Sequence, residues 1–189
     1  MPAVESQMLE LGTSAPLFSL PDPDGNVHSI APGADAYLVM FICNHCPFVM
    51  HIREELARIG KDFGGRNVSI FAINSNDIGT HPLDAPEHMK VEAETWGYTF
   101  PYLFDEDQSV AKAYRAACTP DFYVFDAKMS LVYRGQLDDS RPSNNKPTDG
   151  KDLRAALEAV LAGRATSERQ TPSIGCSIKW TPGNEPDYY

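Results

Sequence analysis

The sequence has no apolar run long enough to cross a bilayer: its most hydrophobic stretch is Ala36-Tyr37-Leu38-Val39-Met40-Phe41-Ile42. Basic residues are in deficit, with 16 Lys and Arg against 26 Asp and Glu and a formal charge of −10. A chain this acidic repels phosphate backbones and anionic lipid, which excludes nucleic acid and membrane surfaces as default partners. No basic flank followed by an apolar segment opens the chain between Met1 and Glu10, so the expected location is cytoplasmic. Four cysteines among 189 residues are too few for a disulfide-stapled scaffold. There is no internal repeat and no low-complexity tract. What remains is ordinary globular composition, 42% hydrophobic and 22% charged, enough to bury a core.

Periodicity sets out the elements. Asp22-Pro23-Asp24-Gly25-Asn26 is turn chemistry between two short extended pieces, which predicts an N-terminal β-hairpin. Tyr37 to Ile42 is apolar on both parities, the pattern of a strand covered on both faces. Pro47 to Phe63 carries Phe48, Ile52, Leu56, Ile59 and Phe63 on a helical stripe. Further strands are expected at Val68 to Ile73, Asp121 to Phe125 and Leu131 to Arg134, with a short extended piece at Phe100 to Phe104. Helices are expected at Asp84 to Trp96, Ser109 to Ala117 and Asp149 to Ala162. Strands alternating with helices, then a hairpin with a helix, describe an α/β fold with a mixed central sheet flanked by helices. The expected division is a domain over residues 1–163 and a C-terminal tail over 164–189. Ile174, Cys176, Ile178 and Trp180 alternate with small or polar residues, so part of that tail should dock on the domain.

Cys43-Asn44-His45-Cys46 stands where the buried strand hands over to the helix, with Pro47 in the first helical turn. Sulfurs three residues apart on a helical turn are expected to share a face and to bridge. Free amides and the positive dipole end at a helix start favour a thiolate, the reactive form, and a chargeable His45 would tune it further. A zinc site would need a second close pair of ligands, whereas Cys118 and Cys176 are single; a c-type haem site would need His where Pro47 stands. The expectation is redox chemistry without metal or other cofactor, beside the alternatives of a metal site or buried inert thiols. His28, His51, His81 and His88 read as surface or loop residues. Asn74, Ser75, Asn76 and Asp77 follow a central strand, where either a ligand-facing loop or turn capping is expected.

The chain resembles the thioredoxin-like superfamily, and within it the peroxiredoxin-like branch related to alkyl hydroperoxide reductase and thiol-specific antioxidant proteins. The residues that carry the resemblance are Ala15-Pro16-Leu17-Phe18-Ser19-Leu20-Pro21-Asp22 and Phe41-Ile42-Cys43-Asn44-His45-Cys46-Pro47, with Thr119-Pro120 before a strand. Gly135-Gln136-Leu137-Asp138-Asp139-Ser140-Arg141-Pro142 and Pro172-Ser173-Ile174-Gly175-Cys176-Ser177-Ile178-Lys179-Trp180 are further marks, similar to a bacterial peroxiredoxin-like subgroup. The resemblance implies a thioredoxin-like fold, a cis proline at Pro120, and substrate contact at Thr119 and Pro120.

It also implies two chemistries. In one, Cys43 attacks a substrate disulfide and Cys46 resolves the mixed disulfide, making a thiol-disulfide oxidoreductase. In the other, Cys46 is the peroxidatic cysteine of a thiol-dependent peroxidase, an antioxidant enzyme, with Cys43 where such enzymes carry Thr or Ser. A redox sensor or metal-binding module without catalysis is the third reading. The partners implied are a protein disulfide or peroxide and an external thiol electron donor. Cys118, Arg141 and Cys176 are accessory candidates: Cys118 at the cleft edge or as a small core residue, Arg141 as thiolate stabiliser or surface cation, Cys176 as relay or packing.

Overall fold

The computed structural model describes residues 3–188. Five strands form the central sheet: β4 (Ala36–Phe41), β5 (Val68–Asn74), β6 (Tyr102–Phe104), β8 (Asp121–Asp126) and β9 (Leu131–Gly135). They lie in the order β6-β5-β4-β8-β9. The β4–β5 and β5–β6 pairs are parallel, and β4–β8 and β8–β9 are antiparallel. This is the mixed sheet of a thioredoxin-like α/β fold, as expected. β1 (Ala3–Glu5), β7 (Cys118–Thr119) and β10 (Ile174–Ser177) form a second sheet, with β10 central. β2 (Ser19–Pro21) and β3 (Val27–Ser29) form the N-terminal hairpin.

Every residue of β4 is buried, and its parities divide two cores. Leu38 and Met40 face a cluster with α1 (Pro47–Phe63) and α4 (Lys151–Leu161), through Leu56, Ile59, Leu153 and Leu157. Tyr37, Val39 and Phe41 face a cluster with Phe18, Val110 and Tyr114, beside α3 (Ser109–Ala113). Burying such side chains contributes about 1.5–3 kcal/mol each before ordering costs, which is why this strand anchors the sheet.

Local chemistry moves several boundaries. The helix expected from Asp84 is split: Pro82–Asp84 forms a 3-10 turn, and α2 (Pro86–Trp96) starts anew at Pro86. Proline lacks the amide that a continuing helix would need, and Ala85 before it is extended (φ −64°, ψ 154°). Gly97 ends α2 in the left-handed region (φ 69°). The helix expected to reach Ala117 ends at Ala113, because Cys118–Thr119 pairs with β10 instead.

The tail packs differently from its alternation. Gly175 is buried, while Ile174 and Cys176 are half-buried. A Cβ on Gly175 would stand 1.9 Å from the carbonyl oxygen of Thr119, so only glycine lets the two backbones approach this closely. Beyond β10, Ile178 and Trp180 are buried in the second cluster.

Candidate active site

Cys46 caps α1 with extended dihedrals (φ −73°, ψ 123°), and Pro47 occupies the first turn, as its fixed φ allows. Both cysteines of the Cys43–Cys46 loop are buried and lean on Thr119. Cys43 Sγ lies 3.2 Å from Thr119 Oγ1, and the Cys46 thiol donates to the Thr119 carbonyl at 3.2 Å. The Thr119–Pro120 peptide is cis. Opposite Thr119 in the antiparallel register stands Cys176.

This register overturns the expected pairing. The near-disulfide partner of Cys46 is Cys176, not Cys43, so the two-thiol unit read from the Cys43–Cys46 spacing is not the one the fold assembles. The reason is topological: β10 delivers Cys176 to the edge of β7 from far along the chain, beside the same Thr119 carbonyl that holds Cys46. Cys43 bonds to the Cys46 sulfur and also belongs to a group with His45 and Asp84 whose donor atoms all lie within 4.8 Å of one another. All four cysteines are free thiols.

The electrostatics of the two cysteines diverge. Cys46 is lowered to about 5, first because Cys43 donates a hydrogen bond to its sulfur. Burial opposes this, and the Cys176 thiol and the amides of Val49 and Cys176 add to it. Amides at the first turn of α1 are the donors that a helix start leaves unpaired. Burial pushes Cys43 well above the ordinary thiol value; its hydrogen bond to Cys46 and the charge of Asp84 push the same way. Cys176 rises to about 12 through burial and through donating to Cys46. Cys46 is thus the thiol favoured as thiolate, with protonated neighbours on both sides.

His45 has a ring nitrogen within 4.8 Å of Cys43 Sγ. Its Nδ1 is 2.6 Å from Asp84 Oδ2, and that contact raises its pKa against burial. Its ring stacks on His81 at 5.0 Å, so His81 belongs to the site's surroundings rather than to open surface. Asp84 is fully buried; burial resists its ionisation, but His45, Asn76 and the Asn44 amide outweigh it and hold the carboxyl below its usual range. The Asn44 amide donates to Oδ1 and Asn76 Nδ2 to Oδ2, both at 2.8 Å. Cys43, His45 and Asp84 are the grouping among the described residues whose spacing could hold a metal ion, at the expense of the His45–Asp84 contact.

Of the accessory candidates, Cys118 is fully buried, with its thiol 3.6 Å from the Pro120 carbonyl and its pKa pushed well up by burial. Arg141 is committed to its own loop: it donates to the carbonyls of Asp138 and Ser140 and to Gln136 Oε1. Asp84 and Asn76 carry more of the site's hydrogen bonding than either, and the sequence offers little sign of it. Asp84 reads there as a helix start and Asn76 as one of four loop residues.

Residues 11–134 match the AhpC/TSA family. The chain is 57% identical to an uncharacterized conserved protein from Geobacillus kaustophilus, whose crystal structure superposes with a TM-score of 0.94, covering 97% of this chain and 98% of that one. It is 29% identical over 126 residues to the thiol-disulfide oxidoreductase ResA from Geobacillus kaustophilus (strain HTA426), covering 65% of this chain and 67% of that protein. A secreted disulfide oxidoreductase from Mycobacterium tuberculosis, homologous to E. coli DsbE, has the same fold at 15% identity (TM-score 0.57, covering 77% of this chain and 95% of that one). The expected cytoplasmic location is corrected: the Mycobacterium tuberculosis oxidoreductase of this fold is a secreted protein, so the fold does not mark a cytoplasmic one. Sparse cysteines argue against stapling disulfides, but a redox site needs only a local cluster, and this fold carries such a site in a secreted protein. No helix among the described residues is long and apolar enough to cross a membrane. With the family match spanning most of the chain, from the N-terminal hairpin to β9, this protein belongs to the AhpC/TSA family.

Proposed function

We propose that this protein is a thiol-disulfide oxidoreductase in which Cys46 is the nucleophile and Cys176 the resolving thiol. The observation that carries the reading is the placement of Cys176 beside Cys46, with Cys46 lowered to about 5 and Cys176 raised to about 12. The Cys46 thiolate attacks one sulfur of a substrate disulfide, forming a mixed disulfide and expelling the other sulfur as a thiolate. Cys176 then gives up its proton and attacks the Cys46 sulfur; the second substrate thiolate leaves, and a Cys46–Cys176 disulfide remains. An external dithiol reduces that disulfide and resets the protein. In this reading Cys43 is a hydrogen-bond donor that stabilises Cys46 as thiolate. His45 tunes the loop through Asp84, and Thr119 and Pro120 form the edge at which substrate meets Cys46. Cys118 and Arg141 have supporting places.

Turnover of insulin disulfide with dithiothreitol tests the reading. The Cys176→Ser variant should stall with substrate covalently held on Cys46, visible by mass spectrometry. Turnover by that variant at the wild-type rate would overturn it. A chain that consumes peroxide and leaves disulfides untouched would overturn it in favour of a peroxidase.

A further inference from the structure

The Cys43–Cys46 loop and the tail meet on one side chain that the chemistry above does not use. Asn76, 3% exposed, follows β5. Its Nδ2 donates to Asp84 Oδ2 at 2.8 Å, and its Oδ1 accepts the backbone N–H of Lys179 at 2.8 Å. Asp84 in turn holds the Asn44 amide between the cysteines. The Lys179 carbonyl accepts from the Asp77 N–H and from Gln108 Nε2, both at 2.8 Å. Lys179 is three residues beyond Cys176, so the far end of the Cys176 strand is fastened at this point. Cys46 is fully buried, and Cys176 on β10 donates to its sulfur. A fully buried sulfur meets an external disulfide only when part of its cover moves, and resolution requires Cys176 to stand beside it.

We propose that Asn76 is a positioning residue that latches the Cys176 strand over Cys46. It links tail seating to the Cys43–Cys46 loop through Asp84, so that release admits substrate and return delivers the resolving thiol. The amide suits this because it offers an acceptor to Lys179 and a donor to Asp84 from two separate atoms at once, which an ionised carboxylate cannot supply. Its buried partners make each lost bond costly. The inference rests on the proposed role of Cys176.

The test uses the full chain and one equivalent of dithiobis(nitrobenzoate), with the adduct assigned to Cys46 by mass spectrometry. Attack by the Cys46 thiolate releases one coloured thiolate and leaves an aryl mixed disulfide. Attack by Cys176 on the Cys46 sulfur releases the second and closes Cys46–Cys176. In Asn76→Asp a carboxylate faces Asp84 and the latch opens. The first release should quicken about fivefold and the second slow about tenfold. Asn76→Ala removes both bonds without adding charge and should show the same split, less strongly. Combining Asn76→Asp with Asp84→Asn exchanges amide and carboxylate and should bring the second release back to within about threefold of wild type. Two phases that are unchanged or that slow together, or an exchanged pair as impaired as Asn76→Asp, would overturn the proposal.

Trypsin cleavage after Lys179 reads the latch without redox chemistry. It should rise about tenfold in Asn76→Asp, and a wild-type cleavage rate would overturn the latch. A second release that persists in Cys176→Ser would instead overturn the resolving role, leaving the first release and the cleavage rate to decide on Asn76.

Discussion

Cys43 and Cys46 are buried to the same degree, three residues apart, and both touch Thr119, yet their acidities are driven in opposite directions. Cys46 accepts hydrogen bonds from two thiols and two amides; Cys43 gives its hydrogen to Cys46 and faces the carboxylate of Asp84. Burial alone would raise both. The difference shows that donors arranged around a sulfur, not its depth or its place in a motif, decide which thiol ionises. It also separates two neighbourhoods: a tail side where Cys176 arrives on β10, and a polar side where Asp84, His45 and Asn44 brace the loop.

Removing each sulfur in turn separates the two roles most strongly. Cys46→Ser should lower disulfide turnover by about a thousandfold or more, since it deletes the nucleophile. Cys43→Ser keeps a hydroxyl donor and should retain turnover to within about tenfold. Equal losses in the two variants would contradict the assigned roles.

Acidity itself is the next test. Only the thiolate is alkylated, so the iodoacetamide rate at Cys46 should climb as pH rises through about 5 and be flat by neutrality. A midpoint near about 8.5, the ordinary thiol value, would show that the donors do not act on Cys46. Stability follows with a definite sign. The folded value lies below the unfolded one, so the contribution is present above the unfolded value and is lost as pH falls through about 5. Cys46→Ser should remove that acid-side loss from the unfolding midpoint.

The tail side can be sharpened at Gly175. In Gly175→Ala the new methyl carbon meets the Thr119 carbonyl oxygen at 1.9 Å, and neither is a flexible side chain. Overpacking of this kind costs roughly 1–3 kcal/mol, and chemical denaturation should show it together with slower Cys46–Cys176 closure. Unchanged stability would mean that β10 does not seat as described.

On the polar side the smallest effect belongs to Tyr102. Its hydroxyl donates to Asn44 Oδ1 at 2.9 Å, within buried surroundings. Tyr102→Phe should cost about 1 kcal/mol in unfolding free energy and change Cys46 alkylation by less than about twofold. A large change in alkylation would show that the two neighbourhoods are coupled.

Much of the scaffold was legible in the sequence because it is written in local patterns. The apolar parity of Tyr37 to Ile42 marks β4, and the stripe from Pro47 to Phe63 coincides with α1. Asp22 to Asn26 marks the hairpin turn, with Asp22 collecting the turn's hydrogen bonds. The site was legible only where it is local. Cys46 at the start of a helix could be read from order alone, but the approach of Cys176 depends on a four-residue strand whose partners are β1 and β7. β1 and β7 are three and two residues long, too short for alternation to register. Asp84 and Asn76 were obscured for a different reason: their importance lies in hydrogen bonds to Asn44, His45 and Lys179, none of which leaves a spacing signal. Spacing suggested that Cys43 and Cys46 were the reacting pair, because a short interval is visible in a sequence and a β-register is not.

In this mechanism Cys46 closes onto Cys176. The most direct measurement is peptide mapping of the full chain after one equivalent of oxidised glutathione, with exchange quenched by acid. A Cys46–Cys176 disulfide, formed also in Cys43→Ser and absent from Cys176→Ser, is the result expected. A disulfide between Cys43 and Cys46, with Cys176 left as a free thiol, would contradict it.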